Sequence, residues 1–258
     1  MTRTYRSRAV ALLLLASALP LFGCDGPSGS GGGGFTREQQ DEIAARSHQL
    51  AAQGQANGLF DAEIVNVEIP QRKGDPVIFS TDEGVRSETT VESLGKLRPA
   101  FDKAGNITAG NASQISDGAA AVIVASKEAA ERLGGEPLGE IVSYGQVAGP
   151  DPSLLTQPSR SIKQALERAS LSVGDIDLFE LNEAFAAVGV ASMKDLGITD
   201  EITNVNGGAI ALGHPIGMSG TRITLTLLHE LKRRGGGTGA AALCGGGGQG
   251  DALIVKTL

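Results

Sequence analysis

Residues Asn204 to Gly220 (Asn-Val-Asn-Gly-Gly-Ala-Ile-Ala-Leu-Gly-His-Pro-Ile-Gly-Met-Ser-Gly) constrain the fold more than any other stretch of the chain. Gly207, Gly208, Gly213 and Gly217 permit backbone turns that are closed to residues with a Cβ. They deliver a single histidine, His214, just ahead of an amphipathic helical pattern. Farther on, an apolar run ends at Cys244 and a second glycine loop, Gly245 to Gly248, follows. Glycine makes up 37 of 258 residues, about twice the usual ~7% share. No Gly-x-y period accompanies it, so collagen is excluded. The glycines punctuate short apolar strands and helices, which is the pattern of an α/β chain.

The strands and helices can be read from their periods. Thr36 to Gly58 reads as a helix with a Thr36/Gln39 capping box and with Ala44, His48, Ala51 and Ala52 on one face. Glu63 to Ile69 alternates as a strand and stops at Pro70. Gln71 to Pro99 is polar and reads as an extended loop. Ala119 to Ala125 is a continuous apolar run suited to a strand covered on both faces. A short helix follows at Lys127 to Leu133, then a strand at Glu140 to Val147. Ile162, Ala165, Leu166 and Ala169 share a face of a helix over Ser159 to Ala169. Asp177 to Leu181 is a strand, and Glu183 to Leu196 is a helix apolar nearly all round, hence buried. Ser219 to Arg234 is a helix with Ile223, Leu227 and Leu231 inward and three cations at its C-terminal end. Ala240 to Cys244 and Asp251 to Val255 make an antiparallel hairpin around the last glycine loop.

The first 34 residues differ from the rest. Arg3, Arg6 and Arg8 precede an apolar run from Ala9 to Leu21, and Leu21-Phe-Gly-Cys24 has the outline of a lipobox, with Cys24 as the lipidated residue. Phe22 is bulky where small residues are usual. A misjoined or mis-assigned start explains the same composition, and Gly26 to Gly34 has linker character. The run falls short of the ~20 apolar residues of an ordinary membrane span. The net charge of −7 and the 3% aromatic content argue against nucleic acid as a partner. Two cysteines in such different contexts make no disulfide framework.

Each candidate site residue has a plain structural reading beside the chemical one. His214, alone, is a loop histidine; fixed among glycines at a helix start, it suits general-base work. Cys244, alone, is a packed core cysteine. The bared N–H groups of Gly245 to Gly248 after it suit an oxyanion. An unperturbed thiol near pKa ~8.5 needs a nearby cation or dipole to act as a base. Asn182, opening Asn182-Glu-Ala-Phe185, reads as a helix N-cap or as an amide that holds a water or a carbonyl. His48 reads as surface or packing, and His229, beside Glu230, as solvated surface. Gly110-Asn-Ala-Ser113 is a turn or a loop over a phosphate-bearing ligand. Gly-x-Gly patterns near Gly245 lead into a strand, which disfavours a dinucleotide-binding oxidoreductase.

Taken in series, Gly110-Asn-Ala-Ser113 with Asp117-Gly-Ala-Ala-Ala121, Asn182-Glu-Ala-Phe185, Gly213-His-Pro-Ile-Gly217 and Cys244-Gly-x-Gly-x-Gln-Gly250 resemble the thiolase family, acetyl-CoA acetyltransferase type, from about Phe35 to the end. The resemblance implies a layered α-β-α-β-α sandwich of two halves with a coenzyme A-binding loop domain. It divides this chain into a leader and linker (1–34), part of the loop domain (35–114), a remnant of the N-terminal half (115–135) and a C-terminal half with a five-stranded mixed sheet (136–258).

The same resemblance assigns roles. His214 is the base that activates a nucleophilic cysteine, and Cys244 moves the α-proton of the second acyl-CoA. Asn182 holds a water that stabilises the enolate with His214, and the Gly246 N–H serves the other oxyanion hole. Arg86, Ala109 and Ser113 are expected to touch coenzyme A; Phe101 and Phe185 are expected to wall the pantetheine and acyl pocket. The implied substrates are coenzyme A thioesters, condensed or cleaved by thiolysis as in fatty acid metabolism. No permanently bound cofactor and no metal are implied, the family's location is cytoplasmic, and its members form dimers or tetramers. The family's nucleophilic cysteine belongs to a region without counterpart here, and Cys24 lacks its context, so the chain alone is expected to be inactive. The competing expectation is an exported, membrane-anchored lipoprotein that reuses the fold as a binding module.

Overall fold

The computed structural model describes residues 35–258; Cys24 and the leader lie outside them. In chain order the elements are α1 (Arg37–Ala56), β1 (Val67–Ile69), β2 (Val77–Phe79), α2 (Val91–Gly95), α3 (Lys127–Leu133), β3 (Gly139–Ala148), α4 (Gln157–Ala169), β4 (Leu178–Leu181), α5 (Ala186–Leu196), α6 (Ala209–Leu212), α7 (Ser219–Arg233), β5 (Thr238–Gly245) and β6 (Gln249–Thr257).

The main sheet runs β3-β6-β5-β4. β6 is antiparallel to both β3 and β5, whereas β4 and β5 are parallel, so the sheet is mixed. Four strands form where five are expected. The fifth position, outside β4, is held by a single parallel bridge from Phe179 to Thr203. The period-2 rule accounts for the packing on both faces. Phe179, Leu181, Ala240, Ala242, Ala252 and Ile254 point to one side and pack with Ile162, Ala165 and Leu166 of α4. Leu178, Ala241 and Val255 point to the other and pack with Ile223, Leu227 and Leu231 of α7. Three layers result, α/β/α, with alanines letting the helices approach the sheet.

The helix α1 begins at the expected capping box: Thr36 Oγ1 accepts from the Gln39 N–H, and the Gln39 side chain accepts from the Thr36 N–H. Its Ala44 and Ala45 pack with Leu94, Ala186 and Ile210, so α1 buttresses α2, α5 and α6. His48 is a packing residue: it is buried, and its Nδ1 accepts the Arg86 N–H.

Several expectations fail for identifiable reasons. Ala119 to Ala125 is not a strand. No neighbouring strand among the described residues offers it a hydrogen-bond ladder, and Ile123 and Val124 stand 91% and 74% exposed. The strand expected over Glu63 to Ile69 shrinks to β1, and its partner β2 lies inside the stretch expected to be loop. That ribbon is exposed throughout. The helix expected from Glu183 starts only at Ala186 with Phe185 as its N-cap, so Asn182 is not a cap. His229, expected at the solvated surface, is only partly exposed, and Glu230 beside it is buried and binds Asn206, Arg233 and Arg234.

Candidate active site

The sheet itself gathers the site. Leu181 pairs with Ala242 across the parallel β4/β5 ladder, and the Asn182 N–H donates to the Ala242 carbonyl. Asn182 and Cys244 therefore leave the sheet at the carboxyl ends of adjacent parallel strands, where open α/β sheets place their ligands. Asn182 is fully buried. Its Nδ2 lies 3.2 Å from His214 Nε2, which brings the third residue to the same sheet end.

The histidine is held at both nitrogens. Nδ1 lies 2.6 Å from Ser219 Oγ, the first residue of α7, and that hydroxyl lies 3.1 Å from the Pro215 carbonyl. A hydroxyl that donates to Pro215 must accept from the ring, which assigns the proton to Nδ1. Nε2 is then unprotonated, and its lone pair accepts from Asn182 Nδ2. Burial first, and the Arg222 guanidinium second, hold the imidazole below its ordinary pKa. The ring is thus neutral at neutral pH, the form a base requires. Asn182 Oδ1 is buried without a protein partner. Such an acceptor fits a water or another donor near Nε2.

Cys244 is 8% exposed, and burial pushes its thiol up to about 11. At neutral pH the thiol therefore stays protonated. Gly246 is exposed at the tip of the hairpin; its carbonyl accepts from Gln249 Nε2.

The loop residues reach this end through the Asn182-Glu-Ala-Phe185 turn. Ala112 bridges Phe185, the Ser113 N–H donates to the Ala184 carbonyl, and the Ala186 N–H donates to the Asn111 carbonyl. Phe101 meets Phe185 edge-on with ring centroids 6.3 Å apart. Phe101, Ser113 and Phe185 are therefore brought together. Arg86 and Ala109 are exposed. The Arg86 backbone N–H donates to His48 Nδ1. Ser219 was missed by sequence reasoning, although a hydroxyl opening the helix after a fixed histidine is a usable signal. Among the described residues no group of three or more His, Cys, Asp or Glu is placed to hold a metal, and no helix is long and apolar enough to cross a membrane.

Comparisons with known proteins identify the family. The model for "Thiolase, N-terminal domain" matches residues 32–128, and that for "Thiolase, C-terminal domain" matches residues 135–257. The chain belongs to the thiolase family. It is 60% identical over 222 residues to a probable acetyl-CoA acetyltransferase of Mycolicibacterium smegmatis, covering 86% of this chain and 57% of that one. An acetyl-CoA acetyltransferase of Cupriavidus necator is 54% identical over 224 residues, covering 86% and 57%. Among solved structures, the Bacillus anthracis acetyl-CoA acetyltransferase superposes with a TM-score of 0.83 at 47% identity, covering 87% and 57%. The human mitochondrial 3-ketoacyl-CoA thiolase in complex with CoA gives 0.82 at 44%, covering 87% and 55%. The chain spans just over half the length of these thiolases. It is a thiolase-family sequence with a mixed α/β fold.

Proposed function

We propose that this chain carries the acid–base half of a thiolase site, acting on coenzyme A thioesters such as acetyl-CoA in condensation or thiolysis. The observation that carries the reading is the Asn182–His214–Ser219 chain at the end of β4, one strand from Cys244. His214 Nε2, the unprotonated ring nitrogen, takes the proton of an attacking thiol and then, as imidazolium, donates to the thioester oxygen. Asn182 orients a water toward the same oxygen. Cys244 moves the α-proton, and the Gly246 N–H serves the second oxyanion. Phe101, Ser113 and Phe185 wall the pantetheine path, and Arg86 and Ala109 meet the outer part of coenzyme A. The attacking thiol belongs to no described residue, since Cys244 is the one cysteine among them. The reading places the protein with the cytoplasmic pool of coenzyme A thioesters, as a dimer or tetramer. The ends of the two matched domain models, at 128 and 135, favour a division between an N-terminal remnant and a C-terminal half near that point.

Exchange of the α-protons of acetyl-CoA in D2O tests this without needing the attacking thiol. The Cys244 thiolate takes the proton, the C–H electron pair becomes the enolate and the charge moves to the thioester oxygen. Deuteron return from the exchanged thiol then restores the thiolate. Proton NMR at pH 9 is expected to show saturable exchange that falls about 10²–10⁴-fold in Cys244→Ala. A wild-type rate no faster than buffer, or one untouched by Cys244→Ala, contradicts the proposal.

A further inference from the structure

Glu183 lies beside Asn182 and is 3% exposed, in a position where a carboxylate needs donors to be tolerated. It has three. Oε2 accepts from Ser47 Oγ at 2.6 Å and from the Ile210 N–H at 3.1 Å, and Oε1 accepts from Asn204 Nδ2 at 3.0 Å. The donors come from α1 and, far from it in sequence, from one stretch that runs from the loop after the Thr203 bridge into the first turn of α6. Each donor is itself anchored. Ser47 Oγ accepts the Gly208 N–H at 3.0 Å. The Asn204 side chain pairs with both the N–H and the carbonyl of Leu181 at 2.8 Å, as a strand neighbour would. A Cβ on Gly208 would overlap the Glu183 carboxylate, and one on Gly207, at φ +84°, would overlap α1 at Ser47 and Ala51. The Gly207-Gly208 pair is therefore what lets this loop close over the carboxylate.

We infer that Glu183 is a positioning residue: its carboxylate ties α1, the Asn204–Gly208 loop and α6 into one unit that sets the Asn182–His214 pair. Asn182 precedes it directly, and His214 follows α6 after one glycine. Both ends of the 3.2 Å contact thus hang from the same anchor. The inference rests on the thiolase reading only for what that pair does. It fits the turn between β4 and α5, where the Ala184 N–H donates to the Asn182 carbonyl at 3.0 Å and α5 begins only at Ala186.

The test uses the full chain labelled at histidine with 15N, with His214 assigned by loss of its signals in His214→Asn. Glu183→Gln replaces one acceptor oxygen by a donor that faces other donors. Its His214 spectrum is expected to lose the pure Nδ1–H signature and become a tautomer mixture. Exchange at saturating acetyl-CoA should fall at least tenfold while the half-saturating concentration moves less than twofold. Ser47→Ala, which keeps the carboxylate, should shift both readouts the same way by less, and it carries the test if Glu183→Gln does not fold. Ser159→Ala removes a comparably buried hydroxyl on α4, bonded to Asp195 of α5, and should leave the His214 signature as it was. A merely structural role would lower melting temperatures and leave the tautomer alone. An unchanged His214 signature in both Glu183→Gln and Ser47→Ala overturns the inference. A changed signature in a chain that exchanges no α-protons upholds the clamp and sinks the thiolase reading instead.

Discussion

The sheet of residues 139–258 and the segment 115–125 contain equally apolar runs and end in opposite states. Ala240, Ala241 and Ala242 are buried between α4 and α7, whereas Ile115, Ile123 and Val124 face solvent. Their intrinsic preferences do not explain the difference, since Val122-Ile-Val is the better strand former of the two. What differs is partnership. β5 has β4 on one side and β6 on the other, so Gly239–Ala242 are paired along both edges and covered by a helix on each face. Residues 119–125 have neither among the described residues, and without a ladder a strand sequence stays irregular. The apolar run that is both paired and covered by helices is buried, whereas the paired but uncovered β1/β2 ribbon and the unpaired residues 119–125 are exposed.

The comparison is sharpened most by a charge placed inside the sheet. Glu180 on β4 is buried, and that burial pushes its carboxyl up to about 8, against the opposing pull of Arg222. Arg222 Nη1 stands 3.6 Å from Glu180 Oε2, an ion-pair distance, yet neither atom makes a hydrogen bond. We weigh burial above that long contact, because an unbonded carboxylate gains too little from it to offset desolvation. The folded state then holds a proton that the unfolded chain releases above its ordinary value of 4.5. The stability it confers is complete below about 4.5 and drains away as pH climbs to about 8. Urea unfolding across pH 5 to 8 should show a decline on the order of 2–4 kcal/mol, largely removed in Glu180→Gln. An equal decline in that variant would place the buried proton elsewhere.

A smaller effect contrasts the two regions directly. Ile254→Val, at a fully buried position of β6, should cost about 1 kcal/mol by urea unfolding. Ile123→Val, at a position 91% exposed, should change stability by less than about 0.5 kcal/mol. Equal costs would show that residues 119–125 are packed in solution and that the contrast drawn above is wrong.

Much of the fold was legible because both layers of the sheet obey simple periods. The helical spacing of Ile162, Ala165 and Leu166 and that of Ile223, Leu227 and Leu231 found the two covering helices. The Thr36/Gln39 box fixed the start of α1 to the residue. Residues 119–125 were misread because periodicity reports what a strand offers and is silent on whether a neighbour accepts it. β2 was hidden because Val77-Ile-Phe79 is three residues in a polar stretch, too short for any period. At the site, His214, Asn182 and Cys244 were visible through their motifs, and the ladder brought Asn182 to the end of β5. Ser219 and Glu183 were not, since each acts through a contact closed by folding: one turn of backbone at Pro215, and two stretches far apart in sequence meeting at a carboxylate.

The central claim is that imidazole and thiol serve one thioester. A double-mutant cycle on acetyl-CoA α-proton exchange tests it most directly, using His214→Ala, Cys244→Ala and the pair together. If the two side chains share a step, each single variant loses about 10²–10⁴-fold and the double variant is slower than the worse single by no more than about threefold. Losses that multiply in the double variant would mean that the two residues act independently, and the shared site would be contradicted.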